Sequence, residues 1–314
     1  MLVNGKWDAD WQPVQKKDKD GRFIRQVSSF RHWITPDGLP GPTGDGGFKA
    51  EADRYHLYVA YICPWASRAL AVRALKGLKD LITVSVVNPR LSDQGWRFGD
   101  YPGATTDELN HATYMHEIYT KVAPDFTGRA TVPVLWDKKQ QTIVNNESAD
   151  IVRMLNTAFK ELVDTGPDLY PAALANDIDA LNEQIYSQLN NGVYQAGFAS
   201  SQEAYDEAYN NVFAMLDKLE AQLSDGRPYL FGEQITETDI RTFVTLIRFD
   251  VAYHGIFKCN RNLIKQMPGL DAYMHRIWQL DGMADTVNID HIKAGYYSIK
   301  ALNPNGIVPR GPLI

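Results

Sequence analysis

The sequence predicts a protein of two domains, an α/β domain followed by an all-helical one. Three observations support this fold class. The chain has 314 residues, a length that corresponds to about two domains. Strand and helix patterns alternate over residues 51–162, whereas residues 172–314 carry helical patterns. Between them, residues 163–171 (VDTGPDLYP) have the glycine, proline and aspartate content of a linker.

Residues 1–50 are predicted to form an irregular extension ahead of the α/β domain. The run at 37–47 is rich in glycine and proline and has turn chemistry throughout. Because the aromatic side chains of the extension offer apolar surface to bury, we expect the extension to pack on the body of the protein. These side chains are Trp7, Trp11, Phe23, Phe30 and Trp33.

The first regular elements of the α/β domain are predicted to form a βαβ unit. Tyr55–Ala60 is a strand candidate, and Leu81–Val87 has the β-branched composition of a strand that is buried on both faces. Pro64–Leu75 is the helix candidate between them, because a proline suits the first helical turn and Gly77 follows the last one.

The rest of the α/β domain is predicted to add a helix, a hairpin and a second helix. After a long loop at 88–107, these elements are a helix near 108–122, strands at Thr131–Trp136 and Gln141–Val144, and a helix from about Glu147 to Phe159. Pro133, near the start of its strand, indicates either an edge strand or a special peptide bond. The order βαβ, α, ββ, α is that of a thioredoxin-like domain.

The helical half contains two capping signals. Ser200–Glu203 has the pattern of a capping box ahead of a long helix. Thr236 and Asp239 have the spacing of a second box, and Ile235 and Ile240 flank this helix start at the positions of a hydrophobic staple. We interpret the second signal as a folding element without chemistry.

Composition argues against several classes of function. The net charge of −6 argues against a nucleic-acid binder, which is usually basic. The apolar stretches are far shorter than the ~18 residues of a membrane span, and the N-terminus lacks the apolar segment of a secretory signal. Two cysteines exclude a disulfide scaffold and a cysteine-based zinc module. We therefore expect a cytoplasmic protein without a metal, a membrane or a nucleic-acid partner.

Cys63 lies between the first predicted strand and the first predicted helix, in Ile62-Cys-Pro-Trp-Ala66. A thiol at a helix N-terminus meets the positive end of the helix dipole, which lowers a thiol pKa and favours the thiolate. Ala66 occupies the position of the second cysteine in a Cys-x-x-Cys motif, so a reactive Cys63 must exchange with an external thiol. A buried structural cysteine is the alternative, and it is the interpretation we give to Cys259, which lacks such a context.

Four segments of the chain form long and specific motifs. They are Tyr55–Ala66 (YHLYVAYICPWA), Thr131–Trp136 (TVPVLW), Asn146–Ser148 (NES) and Asn191–Phe198 (NGVYQAGF). Together they resemble the glutathionyl-hydroquinone reductases, the Xi class of glutathione transferases, and the resemblance covers essentially the whole chain. It implies a cytosolic homodimer in which a thioredoxin-like domain precedes an all-helical glutathione-transferase C-terminal domain. The substrate pocket and the dimer interface are then expected in the helical domain.

The resemblance implies an enzyme that uses glutathione as a co-substrate to reduce glutathionyl-hydroquinones. The Cys63 thiolate would attack the glutathione sulfur and form a mixed disulfide, while the aromatic ring leaves and takes up a proton. A second glutathione would then release glutathione disulfide. One thiol without a resolving partner suits this route, and Cys63 with Ala66 meets that requirement.

The resemblance also assigns a set of residues to glutathione. Thr131-Val-Pro133 lies where thioredoxin-like proteins have a cis-proline, which allows the preceding backbone to pair with a peptide-like ligand. A helix that opens at Glu147 suits the γ-glutamyl carboxylate. A plain strand start, a helix cap or simple packing are the alternatives. The assigned residues are Trp96, Arg129, Ala130, Thr131, Val132, Glu147 and Ser148.

Three tyrosines are assigned to the catalytic pocket by the resemblance, since composition cannot select them among 16. Tyr194 is implied to donate the proton to the leaving ring. Tyr253 and Tyr296 are implied to favour the thiolate by hydrogen bonding. Tyr297 adjoins Tyr296, which leaves the last assignment open by one position.

Three other functions share parts of this pattern. An Omega-like thiol transferase or dehydroascorbate reductase would share the fold, Cys63 and glutathione. A non-catalytic binding protein of the glutathione-transferase type would not need a reactive thiol. A conjugating transferase usually stabilises the glutathione thiolate with serine or tyrosine, whereas a cysteine at that place tends to form a disulfide with it.

Overall fold

The computed structural model describes residues 1–10, 18–164 and 166–312. Trp11 of the predicted extension, Thr165 of the predicted linker and the last two residues lie outside the described residues. The chain divides into two compact units, and each unit is made of three segments that are separate in the sequence. The first comprises Met1–Gln12, Val27–Gly166 and Asp285–Gly295, and the second comprises Pro13–Gln26, Pro167–Ala284 and Tyr296–Ile314.

The first unit contains a short N-terminal hairpin and a four-stranded sheet. The hairpin pairs β1 (Leu2–Val3) with β2 (Lys6–Trp7). The larger sheet consists of β3 (Tyr55–Val59), β4 (Ile82–Val86), β5 (Val134–Asp137) and β6 (Thr142–Asn145), in the spatial order β4-β3-β5-β6. β3 and β4 are parallel, whereas β5 is antiparallel to both of its neighbours. The predicted βαβ unit and hairpin are therefore both present in one mixed sheet.

Helices α1 (Pro64–Leu75), α2 (Met115–Val122) and α3 (Ser148–Thr157) belong to the same unit as this sheet, as does α9 (Ile289–Tyr296) except for its last residue. α1 begins and ends where the sequence predicts, and Gly77 follows it with a positive φ of 63°. α2 is shorter than the predicted helix at 108–122, because Asp107 intervenes. Its carboxylate accepts the backbone N–H groups of Leu109, Asn110 and Ala112, which closes a turn where the helix would have begun.

Pro133 precedes β5, which pairs with a strand on each side and is therefore not an edge strand. The Val132–Pro133 peptide bond is cis. Of the two alternatives that the sequence indicates for this proline, the special peptide bond is confirmed.

The second unit is helical, which confirms the predicted fold class, although residues 285–295 of the predicted helical domain belong to the first unit. Its helices are α4 (Ala175–Ile185), α5 (Gly192–Gly197), α6 (Gln202–Leu223), α7 (Glu237–Arg248) and α8 (Pro268–Trp278). Tyr296, at the end of α9, also belongs to this unit. π-helical turns at Tyr186–Asn190 and Phe249–Tyr253 extend α4 and α7. None of the helices in the described ranges is long and apolar enough to cross a membrane.

The two capping signals have different outcomes. The Asp239 carboxylate accepts from both the backbone N–H and the hydroxyl of Thr236, at 2.7 and 2.9 Å, and Ile235 and Ile240 are buried beside this helix start. The predicted start of α7 is thus confirmed. At α6 the cap is Ser201 rather than Ser200, since the Ser201 hydroxyl accepts from the N–H of Ala204.

Candidate active site

Cys63 is half-buried at the N-cap of α1, the position that the sequence predicts. Its N–H donates to the carbonyl of Ala60, and its own carbonyl accepts from Ser67 in the first helical turn. Pro64 suits the first helical position, because a proline lacks the N–H that would have no intrahelical partner there. The side chain therefore leaves the backbone at the positive end of the α1 dipole.

Val132 lies beside Cys63 in the first unit. The Cys63 thiol donates to the Val132 carbonyl oxygen, with an Sγ–O distance of 3.5 Å. Val132 precedes the cis bond to Pro133, so a residue assigned to glutathione and the proposed nucleophile meet at one place. A peptide-like ligand paired with the Val132 backbone would bring its own side chain beside the thiol.

Tyr119 holds the segment next to Val132, and the sequence offered no signal for it. Its buried hydroxyl donates to the carbonyl oxygen of Thr131 at 2.9 Å and accepts from the Thr131 N–H at 3.2 Å. The amide of Asn146 also donates to this hydroxyl, at 3.1 Å. One phenol thus ties the backbone before Pro133 to the residue before Glu147. Both backbone polar groups of Thr131 are engaged by it.

Glu147 and Ser148 lie at the start of α3, as the sequence predicts. Glu147 is the N-cap, and its carboxylate accepts from the N–H of Ala149 at 3.1 Å. The hydroxyl of Ser28 donates to the same carboxylate at 2.9 Å. Ser148 is buried in the first helical turn. These contacts are those of a helix cap, and they also fix a carboxylate at a helix N-terminus.

The N-terminal extension packs on this helix start, as its aromatic content predicts. The N–H of Phe30 donates to the Asn146 side chain, and the N–H of Asn146 donates back to the carbonyl of Phe30, at 3.0 and 3.1 Å. The guanidinium of Arg31 makes two hydrogen bonds to the carboxylate of Asp150. Residues 28–31 therefore brace the junction between β6 and α3.

The other residues assigned to glutathione, Trp96, Arg129 and Ala130, are all half-buried in the first unit. The carbonyl of Trp96 accepts from the N–H of Met115, so the loop that carries it is tied to the start of α2. Arg129 and Ala130 directly precede Thr131, whose position Tyr119 fixes.

In the second unit, three hydroxyl groups form a connected cluster. The hydroxyl of Tyr194 lies 2.5 Å from that of Tyr296, which in turn lies 2.9 Å from that of Tyr253. These are the three tyrosines that the resemblance selects, although up to 102 residues separate them along the chain. Tyr296 rather than Tyr297 joins this cluster. The Tyr297 hydroxyl lies against Gly255 instead.

Burial governs the acidity of the two inner phenols. It raises the pKa of Tyr253 and of Tyr296 well above the ordinary phenol value, and the neighbouring Tyr194 phenol adds to the rise. Both phenols therefore stay protonated at neutral pH and can donate hydrogen bonds. Tyr194 is only half-buried.

Cys259 differs from Cys63 in its surroundings. It is fully buried, and its thiol donates to the carbonyl of Phe257. Burial raises the pKa of Cys259 to about 12, so its thiolate is scarce at neutral pH. This agrees with its interpretation as a structural residue. Within the described ranges, no group of three histidine, cysteine or acidic side chains is placed to hold a metal ion.

Comparison with known proteins identifies the family. Residues 62–158 match the model for the N-terminal domain of glutathione S-transferases, and residues 202–276 match the model for their C-terminal domain. The chain is 52% identical to the glutathionyl-hydroquinone reductase YqjG of Escherichia coli (strain K12), over 99% of this chain and 95% of that protein. It is 45% identical to the glutathionyl-hydroquinone reductase PcpF of Sphingobium chlorophenolicum, over 99% and 96% of the two chains.

Solved structures agree with these sequence matches. The glutathione-bound structure of YqjG superposes with a TM-score of 0.92 at 49% identity, covering 100% of this chain and 96% of that one. The Xi glutathione transferase of Phanerochaete chrysosporium superposes with a TM-score of 0.90 at 48% identity, covering 95% of each chain. The chain belongs to the glutathione transferase family, in the Xi class that includes the glutathionyl-hydroquinone reductases.

Proposed function

We propose that this protein reduces glutathionyl-hydroquinones with glutathione, yielding the hydroquinone and glutathione disulfide. The observation that supports this function best is the Cys63 thiol at the start of α1, 3.5 Å from the carbonyl oxygen of Val132. Ala66 stands where a resolving cysteine would be, so the second thiol has to come from glutathione. The names of the relatives YqjG and PcpF support the same substrate class.

The proposed reaction has two steps on one thiol. The Cys63 thiolate attacks the thioether sulfur of the substrate, a sulfur–sulfur bond forms, and the carbon–sulfur bond breaks. The bonding electron pair goes to the ring carbon, which takes a proton. The thiolate of a second glutathione then attacks the glutathionyl sulfur of the mixed disulfide, which releases glutathione disulfide and restores the Cys63 thiolate.

We infer that glutathione is held by the backbone near Pro133 and by the start of α3. The Val132 backbone would pair with the cysteinyl unit, and Tyr119 keeps this segment in place through Thr131. The N-terminus of α3, with Ser148, would bind the γ-glutamyl carboxylate, while Glu147 would attract the ammonium group. Trp96, Arg129 and Ala130 complete the proposed set.

Tyr194 is the proposed general acid. A phenol is protonated at neutral pH, so it can donate a proton to the ring carbon as the carbon–sulfur bond breaks. Tyr253 and Tyr296 are implied by the family resemblance to favour the thiolate. The 2.5 Å and 2.9 Å contacts support a further role, in which Tyr296 stabilises the phenolate of Tyr194 and Tyr253 supports Tyr296.

A panel of four substrates tests the proposed activity. We expect turnover with a glutathionyl-hydroquinone to exceed turnover with dehydroascorbate, with a glutathione mixed disulfide and with a halogenated conjugation substrate. Preference for dehydroascorbate or the mixed disulfide would indicate an Omega-like enzyme. Glutathione binding without turnover of any of the four would indicate a binding protein.

We also infer a cytoplasmic homodimer built by the helical residues 172–314. The support is the family resemblance together with the large helical region. Light scattering at micromolar concentration should give about twice the 35.4 kDa mass of one chain. A monomer under those conditions would exclude the dimer.

A further inference from the structure

Arg25 of the N-terminal extension lies over the ring of Tyr194. The guanidinium carbon is 5.0 Å from the centroid of that ring. Its Nε atom donates to the side-chain oxygen of Asn191 at 3.0 Å, three residues before Tyr194 in the chain. The cation is therefore fixed to the same segment that carries the phenol, within the second unit.

The stretch of the extension around Arg25 contacts the residues just before and just after α5, and also α6. Phe23 is buried and its ring lies 5.8 Å from that of Phe198. Arg22 pairs with Glu207 on α6, and the Ser201 hydroxyl donates to the carbonyl of Asp20. These contacts hold the extension against the helices, so the position of Arg25 does not depend on its own side chain alone.

The groups that face Tyr194 differ in charge. Tyr296 and, behind it, Tyr253 are neutral hydrogen-bond partners. The buried Arg248 acts on these two phenols, and its charge opposes the rise in their pKa that burial causes. Arg25 is the cation that lies on the Tyr194 ring itself. A cation over an aromatic face attracts the neutral ring, and it attracts a phenolate far more strongly.

We propose that Arg25 is a positioning residue of the reaction, whose cation stabilises the phenolate that Tyr194 becomes when it donates its proton. This inference rests on the proposed function, in which Tyr194 is the general acid. Arg25 makes proton donation easier without touching the substrate. The N-terminal extension thereby takes part in catalysis, besides bracing the start of α3 with residues 28–31.

Nuclear magnetic resonance of protein labelled with ¹³C at the ζ carbon of tyrosine tests the inference without turnover. The signal that disappears in Tyr194→Phe identifies Tyr194. In Arg25→Met we expect the midpoint of its titration to rise by about one pH unit, and Arg25→Lys should restore part of the difference. Arg261→Met is the matched control, since it removes a cation that lies 4.4 Å from the centroid of another ring of the second unit, that of Phe213, and Tyr194 should titrate in it as in the parent.

Two results would overturn the inference. One is a Tyr194 midpoint in Arg25→Met that equals that of the parent. The other is a parent Tyr194 that stays protonated throughout the pH range in which the protein is folded. Turnover separates this inference from the proposed function. If Tyr194→Phe keeps the activity of the parent, the acid role of Tyr194 is wrong. If Tyr194→Phe loses activity while Arg25→Met keeps both the Tyr194 midpoint and the kcat of the parent, only the role of Arg25 is wrong.

Discussion

The Sγ atom of Cys63 lies 3.5 Å from the carbonyl oxygen of Val132, the residue before the cis bond to Pro133. A thiolate that attacks the sulfur of glutathione must lie beside the cysteinyl unit of that tripeptide. The backbone before a cis-proline is also where a peptide-like ligand can pair as an added strand. Both requirements are met at one place in the first unit.

Cys63 should be the thiol that forms the mixed disulfide. Incubation with glutathione disulfide should add one glutathione to the parent, as measured by intact mass, and none to Cys63→Ala. The physical reason is access and acidity, since Cys63 is half-buried at a helix N-terminus whereas burial raises the pKa of Cys259 to about 12. Cys259→Ala is the matched control and should accept glutathione as the parent does. An adduct on Cys63→Ala would contradict the assignment.

Tyr194→Phe should lower kcat for a glutathionyl-hydroquinone by roughly 100-fold or more, because it keeps the ring and deletes the donated proton. The reaction of Cys63 with glutathione disulfide should proceed at the parent rate, since that step needs no proton at the ring. Tyr297→Phe is the control, because its hydroxyl lies against Gly255 and outside the cluster. Steady-state kinetics within a few-fold of the parent for Tyr194→Phe would place the acid elsewhere.

Tyr119→Phe should weaken glutathione binding. The substitution removes the hydroxyl that holds Thr131 and Asn146, so we expect KM for glutathione to rise roughly fivefold and the free energy of unfolding to fall by about 1–3 kcal/mol. Tyr55→Phe is matched to it, since the buried Tyr55 hydroxyl bonds to the Lys49 carbonyl instead. Tyr55→Phe should lose stability with KM unchanged. Equal KM values for both variants would rule out the holding role of Tyr119.

His56 should make the protein less stable in acid. Burial lowers the pKa of His56 to about 4, whereas the unfolded chain has the ordinary value of about 6.5. Between about pH 6.5 and pH 4 the unfolded chain binds a proton at His56 and the folded protein does not. The contribution of His56 to the free energy of unfolding is therefore present above this pH range and is lost as the pH falls through it. This one group should lower the free energy of unfolding by about 2 kcal/mol between pH 7 and pH 5.

Chemical denaturation at the two pH values measures this effect. His56→Gln should show a smaller loss of stability on acidification than the parent. His111→Asn, at an exposed position with a positive φ that asparagine tolerates, should retain the loss. The same loss in His56→Gln as in the parent would show that other groups cause it.

Features that depend on neighbouring residues could be predicted from the sequence. α1 begins and ends as predicted, because Pro64 and Gly77 constrain the backbone at its two ends. The Thr236–Asp239 capping box and the setting of Cys63 depend on three or four residues each, so the pattern alone determines them. The resemblance of longer motifs supplied the family and the choice of tyrosines.

Tertiary structure decided the features whose partners are distant in the chain. The start of α2 moved from 108 to Met115, because the Asp107 carboxylate, which accepts from the hydroxyl of Tyr58 49 residues away, engages the backbone first. Tyr119 carries no local signal, since its partners lie 12 and 27 residues away. Arg25 meets Tyr194 from another part of the chain altogether. A side chain's hydrogen bonds to remote residues arise only when packing brings their atoms within about 3 Å, and no pattern of adjacent residues encodes that distance.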